Sequence, residues 1–537
     1  MSTSHAGRRR AALTSLALAL LVQTQPPLLA QTVRSPRDVP ALPQLGDGQT
    51  MSLSAERRLG DHMARAIYRD PDYLDDPVLS DYLDSLWTPL LESARRRGEL
   101  PPDMSERFAW RLMLSRDNSV NAFAMPGGYL GVHLGLIAAT GSADELASVL
   151  AHELTHVTQR HIARLIDKQS QQAPLLLAGL LLGVLAAGAA KNADIGTAAI
   201  AGGQALAAQN QLNFSRDMER EADRVGFGVM DAAGFEGEGF VGMFERLQQS
   251  ARLNDDGGFP YLRSHPLTTE RMADMRARVP LQPAHTGATP RRHNAWVHAL
   301  IAARARVLGD AGADRQRTRA SDHLQAPDKP GTETGPAQAA RRYTAALVAL
   351  QQRDVNTAIE ATQALLRWPA LDAAALPVVE ALAVEVLTQA GPGRRLDGRD
   401  LGDWSTRALA QRSRAGLLLG ARAARASHQA DAMARAADRL QAWVVEHPTD
   451  APAWQALATL HNTQGQTLRA VRADAEAQVA LLDYAGARDR FKSAQNLARQ
   501  LPQTDHIEMS ILDARTREIE RLQQELEREA LEQRGRR

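Results

Sequence analysis

Along most of this chain, apolar side chains recur three and four positions apart, the spacing of helices with one buried face. Over 53–98 the spacing is interrupted at Asp70-Pro71 and Asp76-Pro77, which predicts separate helical stretches, because proline turns the preceding residue away from helical backbone. The character changes over 108–137. Trp110–Ser115 alternates like a strand, Pro126-Gly127-Gly128 marks a turn, and Tyr129–Leu134 reads as a second strand leading to a helix at Leu136–Ala139. Helical period returns over Ser142–Ile166. There Leu146, Val149, Leu150 and Val157 fall near one face, and Asp144 and Glu145 occupy the first turn, where negative charge suits the helix dipole.

From Arg341 the pattern becomes helix-turn-helix. Tyr343, Ala346-Leu347, Arg353-Asp354, Ala358 and Pro369 follow tetratricopeptide spacing. So do Pro452, Trp454, Leu457-Ala458, Gly465 and Ala470, then Ala487 and Phe491, at a degenerate period of about 34 residues. One such repeat cannot bury its own apolar face, so several must stack, leaving a concave surface for extended segments or helices of other proteins. The competing reading of this half is a plain helical bundle. The end, 505–537, is a charged helix with Ile519, Leu522 and Leu526 on one stripe. The fold class expected is mainly α: helices around a small β-sheet, followed by an α-solenoid of tetratricopeptide-like repeats.

The chemistry concentrates at Ala151-His152-Glu153-Leu154-Thr155-His156. Residues four apart on a helix differ by about 40° of rotation and one turn of rise. His152 and His156 therefore present their imidazoles side by side, at a spacing one metal ion can bridge. Glu153 sits beside them and can take a proton from water without ligating the ion. A third ligand must come from elsewhere. Glu219 and Asp223 share one helix face; Glu219 can complete a His/His/Glu set, and Asp223 can hydrogen-bond the far nitrogen of a ligand histidine. Glu221 points elsewhere on that helix, and a solvated charged face is the competing reading of the whole run. His265, before Pro266, lies in extended or turn backbone, from which it can approach the metal, stabilise an oxyanion or fill an open zinc position; a helix-start histidine satisfied by local backbone is the competing reading, and the one its position alone favours. Gly128, Tyr129, Leu130, Gly131 and Val132 are expected to form an exposed sheet edge to which an extended peptide adds itself, the alternative being a buried hairpin.

Bulk properties narrow the choice. At 537 residues the chain exceeds one domain; 44% hydrophobic content supplies real cores, and 4% aromatic content with abundant Ala and Leu favours helix. A formal net charge of +1 gives no field for nucleic acid. With no cysteine, disulfides and thiolate ligands are excluded, leaving His and carboxylates for any metal. Arg8–Arg10, the apolar Ala11–Val22 and Leu28-Leu29-Ala30 before Gln31 read as a signal peptide, hence export, with the periplasm as destination. Residues 173–190 carry no charged or strongly polar side chain, and 195–208 is a softer Gly/Ala-rich run. They read as a lid over the site or, alternatively, as a hairpin dipping into a membrane. The expected division is signal peptide 1–30, linker 31–52, catalytic domain 53–278 with the apolar segment 173–208, connector 279–340, repeats 341–504 and terminal helix 505–537.

His152–His156 with Arg160-His161, Asn121–Gly131, the Glu219–Asp223 pair and Ser264-His265-Pro266 occur in this order in one group. The chain resembles the HtpX-like and CAAX-prenyl-protease-like zinc metallopeptidases, and within them the periplasmic BepA-like branch with C-terminal tetratricopeptide repeats. The resemblance covers about 53–277 and implies a gluzincin-type metalloprotease domain. It implies one zinc ion per chain on His152, His156 and Glu219, with Glu153 as general base and His265 near the metal as a restraint. It also implies a part in outer-membrane protein assembly and quality control. The partners would be unfolded or stalled outer-membrane proteins as substrates and the β-barrel assembly machinery, with peripheral membrane contact and no nucleic acid. Two other functions stay open: a periplasmic chaperone or adaptor working through the repeats with a restrained metal site, and a membrane-embedded protease resting on 173–190. Lacking cysteine, the chain departs from the BepA-like pattern in having no disulfide to join its halves.

Overall fold

The computed structural model describes residues 51–170, 216–253, 260–279, 294–310, 335–500 and 506–535. The signal peptide at 1–30, nearly all of the linker and the apolar segment 173–208 lie outside the described residues. The described residues all belong to one compact unit.

The Asp-Pro breaks fall where the sequence puts them. Helix α1 spans Leu53–Tyr68, β1 is Tyr73–Leu74, and α2 spans Pro77–Arg96. Asp76 caps α2 by accepting from Leu79 N at 2.9 Å, and Pro77 fills the first turn, where its missing N–H is not needed. After α3 (Pro102–Arg107) come β2 (Arg111–Ser115), β3 (Ala122–Met125) and β4 (Tyr129–His133). The sheet order is β1-β2-β4-β3, with β2 and β4 parallel and β3 antiparallel to β4.

This order corrects one expectation. Gly128–Val132 is not an exposed edge: β4 lies between β2 and β3, and all five of its residues are buried. Nor do its glycines make room for another chain. A Cβ on Gly131 would lie 2.2 Å from Phe123 Cζ, so that position admits a ring from the neighbouring strand. Gly127 and Gly128, at φ +73° and +84°, form the turn itself.

Helix α4 (Leu134–Ala139) leads to α5 (Ala143–Thr158), capped by Ser142 Oγ on Glu145 N at 3.1 Å. Every α5 residue except Asp144 is buried, so this helix is not apolar on one face; it is enclosed all round. Around it lie α6 (His161–Ser170), α7 (Arg216–Ala232), α8 (Glu238–Leu253), α9 (Pro260–Ser264) and α10 (Thr269–Arg278).

Helix α11 (Ala295–Gly309) packs against both α2 and α12 (Pro336–Gln351). The helices that follow, through α20 (Tyr484–Gln500), mostly pack each against the next, as stacked helical repeats do. Repeat-signature positions are buried: Tyr343, Ala346, Ala358, Trp454, Leu457, Ala487 and Phe491. The terminal helix α21 (His506–Gly535) places Leu512 and Ile519 in a cluster with Phe491, while Leu522 and Leu526 are half-buried.

With no cysteine to join them, the two halves are tied by polar contacts, those of Arg304 the most deeply buried. Arg304 on α11 forks onto Asp76 at 2.6 and 2.8 Å and onto Glu385 at 2.6 and 2.8 Å, and it donates to Tyr343 Oη at 3.0 Å. Arg414 does the same between Asp75 and Asp450, at 2.8–2.9 Å throughout. Arg111 on β2 donates to Thr449 O at 2.7 Å.

Candidate metal centre

The site grows from the enclosure of α5. His152 and His156, one turn apart, are both buried, with their Nε2 atoms 3.0 Å from each other. Helix α7 crosses α5 closely at Gly226, where a Cβ would sit 3.1–3.2 Å from Ala151 O, Ala151 C and His152 N. That crossing carries two carboxylates to the imidazoles. Glu219 Oε2 lies 3.5 Å from His152 Nε2, and Glu219 Oε1 lies 3.4 Å from His156 Nε2. Asp223 Oδ1 accepts from His152 Nδ1 at 3.0 Å.

His265 arrives from the turn after α9. Its backbone N–H bonds Tyr261 O at 2.8 Å, and its ring stacks on that of Tyr261 at 4.6 Å between centroids. Its Nδ1 lies 2.9 Å from Glu219 Oε1 and 3.3 Å from His152 Nε2. His152, His156, Glu219 and His265 thus offer four buried donor atoms, all within 4.8 Å of one another.

The spacing tests the fit of a metal. Ligands about 2.0–2.1 Å from a tetrahedral zinc ion stand about 3.3 Å apart. The separations given above, 2.9–3.5 Å, are of that order, with Glu219 turning Oε2 to His152 and Oε1 to His156 and His265. Three imidazoles and a carboxylate suit zinc in softness as well. Electrostatics agree. Burial alone would push the His152 imidazolium down, but Asp223 and Glu219 outweigh it and lift it to about 9. Burial pushes Glu219 up; the surrounding histidines more than reverse this and hold it well below the usual carboxylate range. Burial and the neighbouring His152 charge push His156 well below its ordinary value, so the cluster holds its positive charge on His152 and leaves His156 neutral, with a lone pair to offer.

Glu153 is fully buried beside this centre. Its Oε2 accepts from Ala124 N at 2.9 Å, while Oε1 makes no hydrogen bond and stands 3.5 Å from His265 Nε2. Burial raises its pKa, the direction that makes a carboxylate a better proton acceptor near neutrality.

Around the centre lie groups to which sequence reading gave no role. Arg271 donates to both oxygens of Asp223 at 2.6 and 2.8 Å and to Pro266 O at 2.8 Å; its Nη1 also lies 2.8 Å from Glu219 Oε2. It thereby ties the His265-Pro266 turn to the acidic helix. Its only signal in the sequence was its place six residues after His265 in a helix start. Glu221 does point away from the metal donors, as expected, and bonds His161 Nε2 at 3.0 Å. Of the substrate residues expected at Gly128–Val132, the structure brings none to the centre; the strand touching Glu153 is β3, through Ala124.

Residues 91–279 match the model of peptidase family M48. The beta-barrel assembly-enhancing protease of Yersinia pestis is 32% identical over 327 residues, 60% of this chain and 63% of its own length. The protein of that name from Escherichia coli (strain K12) is 34% identical over 240 residues, 44% of this chain and 47% of its own. A mitochondrial metalloendopeptidase of Saccharomyces cerevisiae is 26% identical over 239 residues, 43% of this chain and 65% of its own. The chain spans about half to under two thirds of the length of these relatives.

Proposed function

From the premise that residues 91–279 carry a peptidase family M48 domain, we propose that the chain is a zinc-dependent metalloendopeptidase. The observation that carries this reading is the buried cluster of His152, His156, Glu219 and His265, with Glu153 against it. His152, His156 and Glu219 would hold the ion. When bound, zinc supplies Lewis acidity, polarising a peptide carbonyl and acidifying water. Glu153 takes the proton of the attacking water on Oε1 and passes it to the leaving amine. Asp223 and Arg271 orient His152 and Glu219. His265, 2.9 Å from Glu219, would offer a fourth ligand and so would restrain the site until its ring moved aside for substrate. An extended substrate runs beside β3, the strand Glu153 touches.

We place the peptidase domain at 53–278 and the repeat scaffold at 341–504. The names of the relatives support proteolysis in β-barrel assembly. Outer-membrane barrel proteins as substrates, the periplasm as location and the β-barrel assembly machinery as partner are our reading, resting on the export segment at 1–30 and the helical C-terminal half.

The test is cleavage of an unfolded outer-membrane β-barrel protein by purified chain, with zinc measured in the same samples. Glu153→Gln should keep one zinc per chain and lose about 10²–10⁴-fold in kcat. His265→Ala should cleave faster than wild type. Cleavage by Glu153→Gln at the wild-type rate would refute the mechanism.

A further inference from the structure

We propose that His161 and Glu221 form a positioning relay that fixes His156 and sets the affinity of the centre for its metal; the inference rests on the zinc reading above. His161 Nδ1 lies 2.8 Å from His156 Nδ1, His161 Nε2 lies 3.0 Å from Glu221 Oε2, and Arg164 Nη1 donates to Glu221 Oε2 at 2.9 Å. His161 is fully buried.

The chemistry orders the protons. For His156 to offer the Nε2 lone pair, its Nδ1 must carry the hydrogen. The structure places His161 Nδ1 opposite that hydrogen, so His161 accepts there and carries its own proton on Nε2. Glu221 receives that proton's hydrogen bond, and Arg164 secures the carboxylate. Each link thus dictates the tautomer of the one before it, and the last is fixed by charge.

The backbone is built to deliver this contact. Helix α5 ends at Thr158, and Arg160 adopts φ +53°, a left-handed turn rarely taken by a non-glycine residue. Arg160 is held there by Glu56, to which its Nε donates at 2.9 Å. The turn starts α6 at His161 and folds its ring back onto His156, with centroids 4.9 Å apart. Helix α7 serves both ligand histidines. Glu219 and Asp223 face α5, while Glu221, about 200° round from Glu219, reaches the start of α6. The two ligands are supported differently. His152 leans directly on a carboxylate paired with Arg271, and His156 leans on an uncharged ring backed by a carboxylate that is 29% exposed.

The test measures zinc affinity of the full chain against a chromophoric chelator, with the visible spectrum of the cobalt(II)-substituted protein and far-ultraviolet circular dichroism alongside. His161→Phe should weaken zinc binding by about 10–100-fold and alter the cobalt bands. His161→Asn, which keeps an acceptor near the Nδ1 position, should recover most of that loss. Glu221→Gln, at a partly exposed position, should fold normally and lose affinity by a smaller factor. Should His161→Phe fail to fold, Glu221→Gln and His161→Asn decide. Wild-type affinity and an unchanged cobalt spectrum in Glu221→Gln, or a His161→Asn no better than His161→Phe, overturns the relay. Glu219→Gln is the separate control. If it binds zinc as tightly as wild type, the metal reading itself fails; if it loses the ion while the His161 and Glu221 variants keep theirs, only the relay falls.

Discussion

Arg304 offers a direct test of how a chain without cysteine joins its halves. It is 2% exposed and makes five hydrogen bonds: two to Asp76, two to Glu385 and one to Tyr343. Asp76 also caps α2, so one guanidinium binds the start of the N-terminal half to α12 and to Glu385 on the helix Leu376–Ala390. Arg304→Met keeps the length and apolar stem of the side chain and removes the fork. Two carboxylates, 8% and 17% exposed, are then left without their cation. Breaking a buried ion pair on one side costs about 3–5 kcal/mol, because the stranded charge keeps its desolvation penalty. For a domain of 150–250 residues each kcal/mol is worth about 2–4 °C, and the larger unit here pulls toward the low end, giving a fall of roughly 5–10 °C. Calorimetry and urea unfolding at pH 7 would measure it. The triple variant Arg304→Met, Asp76→Asn, Glu385→Gln removes the charges as well and should recover much of the loss. A single variant within about 1 kcal/mol of wild type would refute the reasoning. Arg304 would then be an ornament of the junction, and apolar packing alone would hold the halves.

Further outcomes follow from other contacts. Gly226→Val should push α7 off α5 at Ala151 and His152, costing about 1–3 kcal/mol of stability and weakening zinc binding; an unchanged zinc affinity contradicts the account of the crossing. Acid unfolding should report Asp450. Burial pushes its carboxyl up, but Arg414, Trp443 Nε1 and Ala453 N outweigh that and hold it below its ordinary 3.8. Its ionised form is then favoured more in the folded than in the unfolded chain, so its contribution is complete above about pH 4 and is lost as pH falls through the lower folded value. Asp450→Asn should be less stable at pH 7 and show a shallower decline below pH 4. Equal acid slopes in the two proteins would show that other groups govern that limb.

Much of this protein is written in short-range pattern. The Asp-Pro breaks, the strand at 111–115, the helix bearing His152 and His156 and the C-terminal helices follow from proline's local restriction or from periods of two or about 3.6 that neighbouring residues alone impose. The His-Glu-x-x-His spacing names its own chemistry for the same reason, since one helical turn places both imbidazoles regardless of what surrounds them. Other features depend on which elements meet. Strand β4 and a true edge strand share the same local signal, and only the pairing of β3 on its far side put Gly128–Val132 in the sheet interior. Helix α5 carries one apolar stripe in sequence and is buried on every side because the sheet and several helices close around it. Arg271 and Glu221 look like ordinary members of charged helices until folding sets them against Asp223 and His161. Local sequence fixes backbone and the reach of neighbouring side chains; partners 50 or 100 residues apart are chosen by packing, which no single stretch encodes.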